Sequence, residues 1–304
     1  MKDCVKRFLK YFWLKTEKIG GKMDDNTKLT DELWEKYYKL IREPKIKGRV
    51  LHDSKIQAKI IQQLKNNNFR LVNYTLDVND YKKYIERTKE IYNKYPIYGN
   101  NLVEKSLEHY TAAKLLNLSE SDIYIDIASA GSPVPEIYAK LYGCKTYRQD
   151  IVYPKGINNE VIGGDAANMP VPPGFATKMA MHCSLEHFEG DSDIRLIKEV
   201  NRILKTGGKL CVLPLYLFDK YAIQTDPVAL KNRNIKFEKD AIVYCAKDWQ
   251  LIHGRFYDIH HLVSRIKNNL ANLEMTIYIV QNEKEISATC YIKFIAVFMK
   301  NEVL

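Results

Sequence analysis

The sequence lacks cysteines in CxxC spacing: its six, Cys4, Cys144, Cys183, Cys211, Cys245 and Cys290, are scattered, several of them inside apolar runs. That spacing excludes a zinc ribbon and argues against a disulfide framework, so the expectation is of reduced, buried thiols in a cytoplasmic protein. No uninterrupted apolar run approaches the ~20 residues that a membrane span requires. The first residues, MKDCVKRFLKYFWLK, are too broken by charge for a secretory signal. Glycine is scarce in one informative place. In IYIDIASAGSPVPEIYAKLYG (123–143) a strand-like run enters a turn and then a helix, with Gly131 alone where a pyrophosphate cradle of the GxGxxG type needs three glycines.

What the chain has is size and an uneven positive charge. Its 304 residues, 46% of them apolar, suffice for one large domain, or for one domain with a substantial extension. Residues 1–120 carry 25 Lys and Arg against 16 Asp and Glu, a net +9; the remaining residues carry 22 against 21, a net +1. The excess therefore belongs to the front of the chain, which suits an anionic neighbour such as lipid headgroups, phosphorylated glycans or nucleic acid, or an ordinary solvated surface. Val5, Phe8, Leu9, Phe12 and Trp13 fall on one face of a basic amphipathic helix. Residues 1–19 could thus contact a membrane surface or dock on the protein's own core.

GGKMDDNTK (20–28) reads as a flexible joint, followed by a helix from Thr30 to about Arg42 that must stop near Pro44. The spacing then predicts a helix over 54–66, a short strand over 69–75 and a helix over 79–94, with a linker at 95–101. The pattern changes from residue 102. After the amphipathic helix VEKSLEHYTAAKLLNL, short apolar strands at 123–128, 145–149, 161–164, 178–182 and 209–215 alternate with helices, the signature of a doubly wound parallel α/β sheet. Residues 275–300 read as two strands joined by a short polar turn, an antiparallel hairpin at one sheet edge. The organisation expected is a basic, mostly helical extension over 1–100 and an α/β domain over 101–304.

In an open α/β sheet the ligand lies beyond the C-terminal ends of the strands. Three acids stand there. Asp126 ends the first strand of the domain; Asp150 ends the second and can accept both hydroxyls of a ribose; Asp165 follows the third and, with the amide of Ala166, can read an adenine edge. A single such acid would be weak evidence, because loops favour Asp for turns in any case. MAMHCSLEHFEGDSD (179–193) follows the fourth strand and supplies His182 and His187 as candidate bases, with Glu186 to orient an imidazole or hold a hydroxyl. The segment 215–262 holds Tyr216, Arg255 and Tyr257, which suit a sugar or a phosphorylated metabolite. Lys105, His109 and Tyr110 share one face of the helix that precedes the first strand.

Asp126 to Gly131, Asp150, GDAANMPVP (164–172), MHCSLEHFEG (181–190) and EVNRILKTGGKLCVLPLY (199–216) together resemble the class I S-adenosylmethionine-dependent methyltransferases, over roughly 102–300. The group acting on small molecules and glycans is the most similar, since RILKTGG stands where that group has RxLKPGG. The resemblance implies a seven-stranded Rossmann-like sheet with the C-terminal hairpin and S-adenosylmethionine as cofactor. It further implies that Asp126, Ala128 and Gly131 hold the methionine moiety, Asp150 the ribose, and Asp165 with Ala166 the adenine. The family's D/ExGxGxG departs here to Ala128 and Ala130. Cys183 replaces the first glutamate of the ExxEH metal arrangement, so no metal is expected, and the D/NPPY motif of base N-methylation is absent. The expected reaction is O-methylation of a glycan, glycolipid or small metabolite by a cytoplasmic enzyme. The alternatives are an RNA-modifying enzyme gripping phosphates with its basic front, and a non-catalytic membrane-surface relative of the fold.

Overall fold

The computed structural model describes residues 53–129, 131–226, 237–246, 249 and 251–302, without the side chains of residues 96 and 97. The expected helices over the first 18 residues and from Thr30, the joint between them, and Ala130 lie outside the described residues.

Helix α1 (Ser54–Asn66) starts where expected because Asp53 caps it: one carboxylate oxygen accepts from the amides of Lys55 (2.9 Å) and Ile56 (3.2 Å), a contact that contributes about 1 kcal/mol. Asp77 caps α2 (Val78–Asn93) in the same manner through the Asp80 amide at 2.9 Å. Between them β1 (Arg70–Tyr74) forms. Helix α3 (Leu102–Leu116) ends at Asn117 in the left-handed conformation. The core strands follow: β2 (Ile123–Ile127), β3 (Lys145–Asp150), the short β4 (Gly156–Asn158) and β5 (Val161–Gly163), β6 (Ala176–His182) and β7 (Leu204–Leu213). Helices α4 (Val134–Tyr142) and α5 (Ser192–Ile203) lie between them; α4 is entered through Pro133 and Pro135 and left at Gly143, φ 71°.

The sheet has nine strands in the order β1-β11-β12-β7-β6-β2-β3-β5-β4, where β11 is Leu273–Val280 and β12 is Phe294–Lys300. The seven expected strands are its core, β5 to β11, with β12 antiparallel to both of its neighbours. β4 and β1 extend the two edges, and β1 pairs in parallel with β11, so part of the expected extension is built into the sheet. The hairpin turn is not short, which corrects the sequence expectation. Residues 281–293 connect β11 to β12 and include the helical turn Glu283–Ile286. The stretch expected to start the second strand is drawn off the ladder, because the Tyr291 amide donates to the Glu104 carboxylate at 3.0 Å. Residues 215–262 contribute a separate three-stranded sheet, β10-β8-β9, from Ala222–Thr225 (β8), Ile242–Cys245 (β9) and Gly254–Phe256 (β10).

Strand alternation decides what lies on each face. Ile125, Ile127, Met179 and Met181 point to one side, where Leu196, Ile197 and Val200 of α5 cover them. Tyr124, Ala180, Cys211 and Leu213 point to the other, under Leu107 and Tyr110 of α3 and Ile137 and Tyr138 of α4. Asp126 and His182 have the parity of Tyr124 and Ala180. The last buried position of β2 and of β6 on the α3 face is therefore polar.

Candidate active site at the C-terminal ends of the central strands

The turn after β2 takes its shape from Gln149. Its side-chain oxygen accepts from the Ala128 amide at 3.2 Å and its amide nitrogen donates to the Gly164 carbonyl at 2.6 Å, while its backbone carbonyl accepts from the Ser129 amide at 2.9 Å. One buried side chain thus ties together the loops after β2, β3 and β5, which carry the three candidate acids. Sequence reading passed over it, since a glutamine one residue before Asp150 has no motif of its own. Ala128 adopts φ 53°, the left-handed region that glycine enters without strain. The departure from glycine at this position therefore has a conformational cost, while the turn itself is kept.

Asp126 is 1% exposed. One oxygen accepts from the Tyr124 hydroxyl at 3.1 Å and the other has no hydrogen-bond partner. Burial pushes its pKa up to about 7. The Ser129 hydroxyl is also buried and without a partner. These two orphaned buried groups, one near the end of β2 and one in the turn that follows, fit the donor-rich methionine end of S-adenosylmethionine, whose ammonium would complete them. Asp150 is buried, with one oxygen accepting from the Val152 amide at 3.1 Å. Asp165 caps the turn Ala166–Asn168 through the Ala167 amide (2.9 Å), and its other oxygen pairs with Arg195 at 3.2 Å; Ala166 is buried beside it.

At the tip of β6, the His182 Nε2 lies 3.7 Å from Asp126 and 3.5 Å from the Tyr124 hydroxyl, and the ring meets His109 edge-on at 4.9 Å. Burial, reinforced by the Lys105 charge, lowers its pKa to about 3, so the imidazole is neutral and a poor proton acceptor. Cys183 follows with φ 46°. Its Sγ donates to Glu108 Oε1 at 3.2 Å, and the hydroxyls of Tyr216 and Tyr291 stand 3.4 and 3.8 Å from it. The Lys105 ammonium donates to both oxygens of Glu108, at 3.1 and 3.3 Å. Glu108 is fully buried, and desolvation, partly offset by Lys105, raises its pKa to about 8. This cluster joins α3, the loop after β6, the loop after β7 and the long connection before β12. The sequence offered Cys183 only as a lone thiol standing where the ExxEH arrangement has its first glutamate. The i,i+3 pairing of Lys105 with Glu108 was the available signal for the rest.

The other predicted residues fall elsewhere. His187 bonds through Nδ1 to the His253 carbonyl (2.5 Å) and has Nε2 3.6 Å from Glu186; the His253 ring donates to the Glu186 carbonyl at 2.9 Å. His182 and His187 are not brought together. Arg255 was expected to recognise substrate. Instead it is 0% exposed: its guanidinium donates to the Tyr221 hydroxyl, to the carbonyls of Phe188 and Gly190 and to Glu238, and lies 3.1 Å from the Asp193 carboxylate. Tyr257 donates to the same Asp193 at 2.6 Å. Both anchor the small sheet to α5, and neither has a polar group left for an acceptor. Tyr110 donates to Asp80 at 2.9 Å and packs against α2.

Residues 134–212 match the methyltransferase domain family. The match runs from α4 to β7, and the strand order around it is the Rossmann-like one with a C-terminal antiparallel hairpin that the sequence resemblance implied. No curated protein sequence matches the chain. Among solved structures it is similar to the Burkholderia thailandensis 1,6-didemethyltoxoflavin-N1-methyltransferase (8% identity, 76% of this chain and 94% of that one, TM-score 0.46). It is also similar to human N-acetylserotonin methyltransferase (16%, 73% and 58%, TM-score 0.41) and to the geranyl diphosphate C-methyltransferase of Streptomyces coelicolor (12%, 65% and 80%, TM-score 0.41). All three TM-scores lie below 0.5.

Proposed function

We propose that the enzyme methylates a hydroxyl oxygen of a small-molecule or glycan acceptor. The observation that carries this reading is a buried carboxylate, Glu108, held at the fourth-strand tip within hydrogen-bond reach of Cys183 and Lys105. A hydroxyl must lose its proton when it is methylated, and a carboxylate whose pKa has been raised by burial accepts one near neutrality. The absence of D/NPPY supports the same choice over a base amine.

In this reading Asp126, Ala128 and Gly131 hold the methionine end of the cofactor, Asp150 the ribose hydroxyls, and Asp165 with Ala166 the adenine edge. The cofactor supplies an activated methyl on a sulfonium, so the protein's part is to align the acceptor and take its proton. Tyr216 lies on the acceptor side. His182, neutral between Tyr124 and Asp126, orders the carboxylate rather than acting as the base. His187 and Glu186 shape the approach from the small sheet.

Incubation of the full chain with methyl-labelled S-adenosylmethionine and a panel of alcohols, phenols, sugars and amines tests this. Label recovered as an ether is the expected result. Label found only on nitrogen or carbon acceptors would sink the oxygen assignment while leaving the class intact.

A further inference from the structure

We infer that Tyr216, Cys183 and Glu108 form a relay that carries the acceptor's hydroxyl proton inward from the pocket to a buried terminus at Glu108. The inference rests on the hydroxyl-methylating reading above and names how the site would work.

The hydrogen bonds already form a chain. The Tyr216 hydroxyl stands 3.4 Å from the Cys183 Sγ, and that Sγ donates to Glu108 Oε1 at 3.2 Å. An ionised carboxylate only accepts, and the thiol has a single proton, so the chain is polarised toward Glu108. Toward its outer end, Tyr216 and Tyr291, both half-buried, line a narrow pocket with Gln57, Pro214, Lys293 and Phe294, at the C-terminal end of β7. Its inner end is closed, with Glu108 at 0% exposure. The backbone at Cys183 is left-handed, φ 46°, a conformation that a non-glycine residue adopts only at a cost. That conformation accompanies a thiol turned toward α3.

Methyl transfer forms an oxygen–carbon bond and leaves the broken bond's electron pair on sulfur, so one proton remains for the protein to place. It passes from the acceptor oxygen to Tyr216 as the tyrosine proton moves to Cys183 and the thiol proton to Glu108. The relay ends with neutral tyrosine, neutral thiol and a protonated carboxyl beside the Lys105 ammonium. The groups that face Glu108 are Lys105 and Glu104 from its own helix, Cys183 after β6, and Tyr291 and Tyr216 from the connections flanking the sheet end. A raised Glu108 pKa, about 8, suits a terminus that must hold a proton near neutral pH.

The test uses the full chain and the variants Glu108→Gln, Cys183→Ala, Cys183→Ser and Tyr216→Phe, with melting and S-adenosylmethionine calorimetry as controls for folding and cofactor binding. Iodoacetamide labelling of the Cys183 peptide against pH reads the coupling without any acceptor. Glu108→Gln is expected to move the profile down by about one pH unit, and an unmoved profile overturns the relay. With a hydroxyl acceptor from the panel above, Glu108→Gln and Cys183→Ala are expected to lower kcat about 100-fold with KM little changed. Glu108→Gln should also lose the limb of the pH profile near 8, whereas Cys183→Ser should restore most of kcat. A Glu108→Gln enzyme that keeps its kcat and its pH limb defeats the relay alone. A panel in which no hydroxyl is methylated, although the cofactor binds, defeats the hydroxyl reading and the relay with it.

Discussion

The Cys183 thiol donates to the Glu108 carboxylate at 3.2 Å across 75 residues of sequence, and the same carboxylate holds the Lys105 ammonium at 3.1 Å. Desolvation outweighs the lysine and raises Glu108 from 4.5 to about 8. Between those two values the folded protein keeps a proton that the unfolded chain has lost, so this group makes stability fall as pH rises. His182, lowered from 6.5 to about 3, contributes the opposite slope between about 3 and 6.5. The difference between parent and Glu108→Gln isolates the carboxylate. In thermal unfolding from pH 5 to 9, the variant should lose less Tm than the parent as pH rises. Parallel curves would show that Glu108 does not titrate in this range.

Ala128 tests whether the glycine-poor turn carries strain. At φ 53°, replacing Ala128 with glycine relieves a left-handed β-carbon, and the expected gain is about 1 kcal/mol, or roughly 2 °C in Tm for a chain of this size. A lower Tm in Ala128→Gly would mean that the methyl group's packing outweighs the backbone.

Gln149 holds three loops with two side-chain hydrogen bonds. Gln149→Ala leaves the Ala128 amide and the Gly164 carbonyl without their partner, an expected loss of about 1–3 kcal/mol. Cofactor affinity should fall with it, because the loops bearing Asp126, Asp150 and Asp165 are no longer tied. Chemical denaturation and calorimetry on the same variant read the two effects. Unchanged affinity in a destabilised variant would separate the clamp from the site.

Arg255 separates scaffold from recognition. Its guanidinium is buried against Asp193 at 3.1 Å and Glu238 at 2.6 Å. Arg255→Met should destabilise the fold by about 1–3 kcal/mol, since it leaves the Phe188 carbonyl and the partly buried Glu238 carboxylate without their donor, while Asp193 keeps Arg265 and Tyr257. A folded variant of parental stability with a raised acceptor KM would restore the substrate role that the sequence suggested.

The parts of the fold legible in the sequence are those set by local signals. The spacing over 54–66 placed α1 at about its observed bounds, and the short apolar runs placed β2, β3, β5 and β6 within a few residues of theirs. The long connection before β12 was not legible: Tyr291 has the β propensity of a strand residue, and only α3 brings Glu104 to its amide. The site divides in the same way. Asp126, Asp150 and Asp165 follow from strand ends, which are local features. Glu108, Gln149 and Tyr291 acquire their roles from neighbours 15 to 108 residues away in sequence, which no local pattern encodes. Arg255, expected at the acceptor, is buried among carbonyls and carboxylates, and charge in a sequence gives no indication of such burial.

Titration calorimetry with S-adenosylmethionine at pH 8 tests the central claim most directly. The parent should bind one cofactor per chain, and Asp126→Asn and Asp150→Ala should each weaken binding by tenfold or more, about 1.4 kcal/mol. Because Asp126 must ionise to meet the cofactor's ammonium, parental affinity should fall about tenfold between pH 8 and pH 6, around its pKa of about 7. No binding by the parent at high cofactor concentration, or variants that bind as the parent does, would contradict the account.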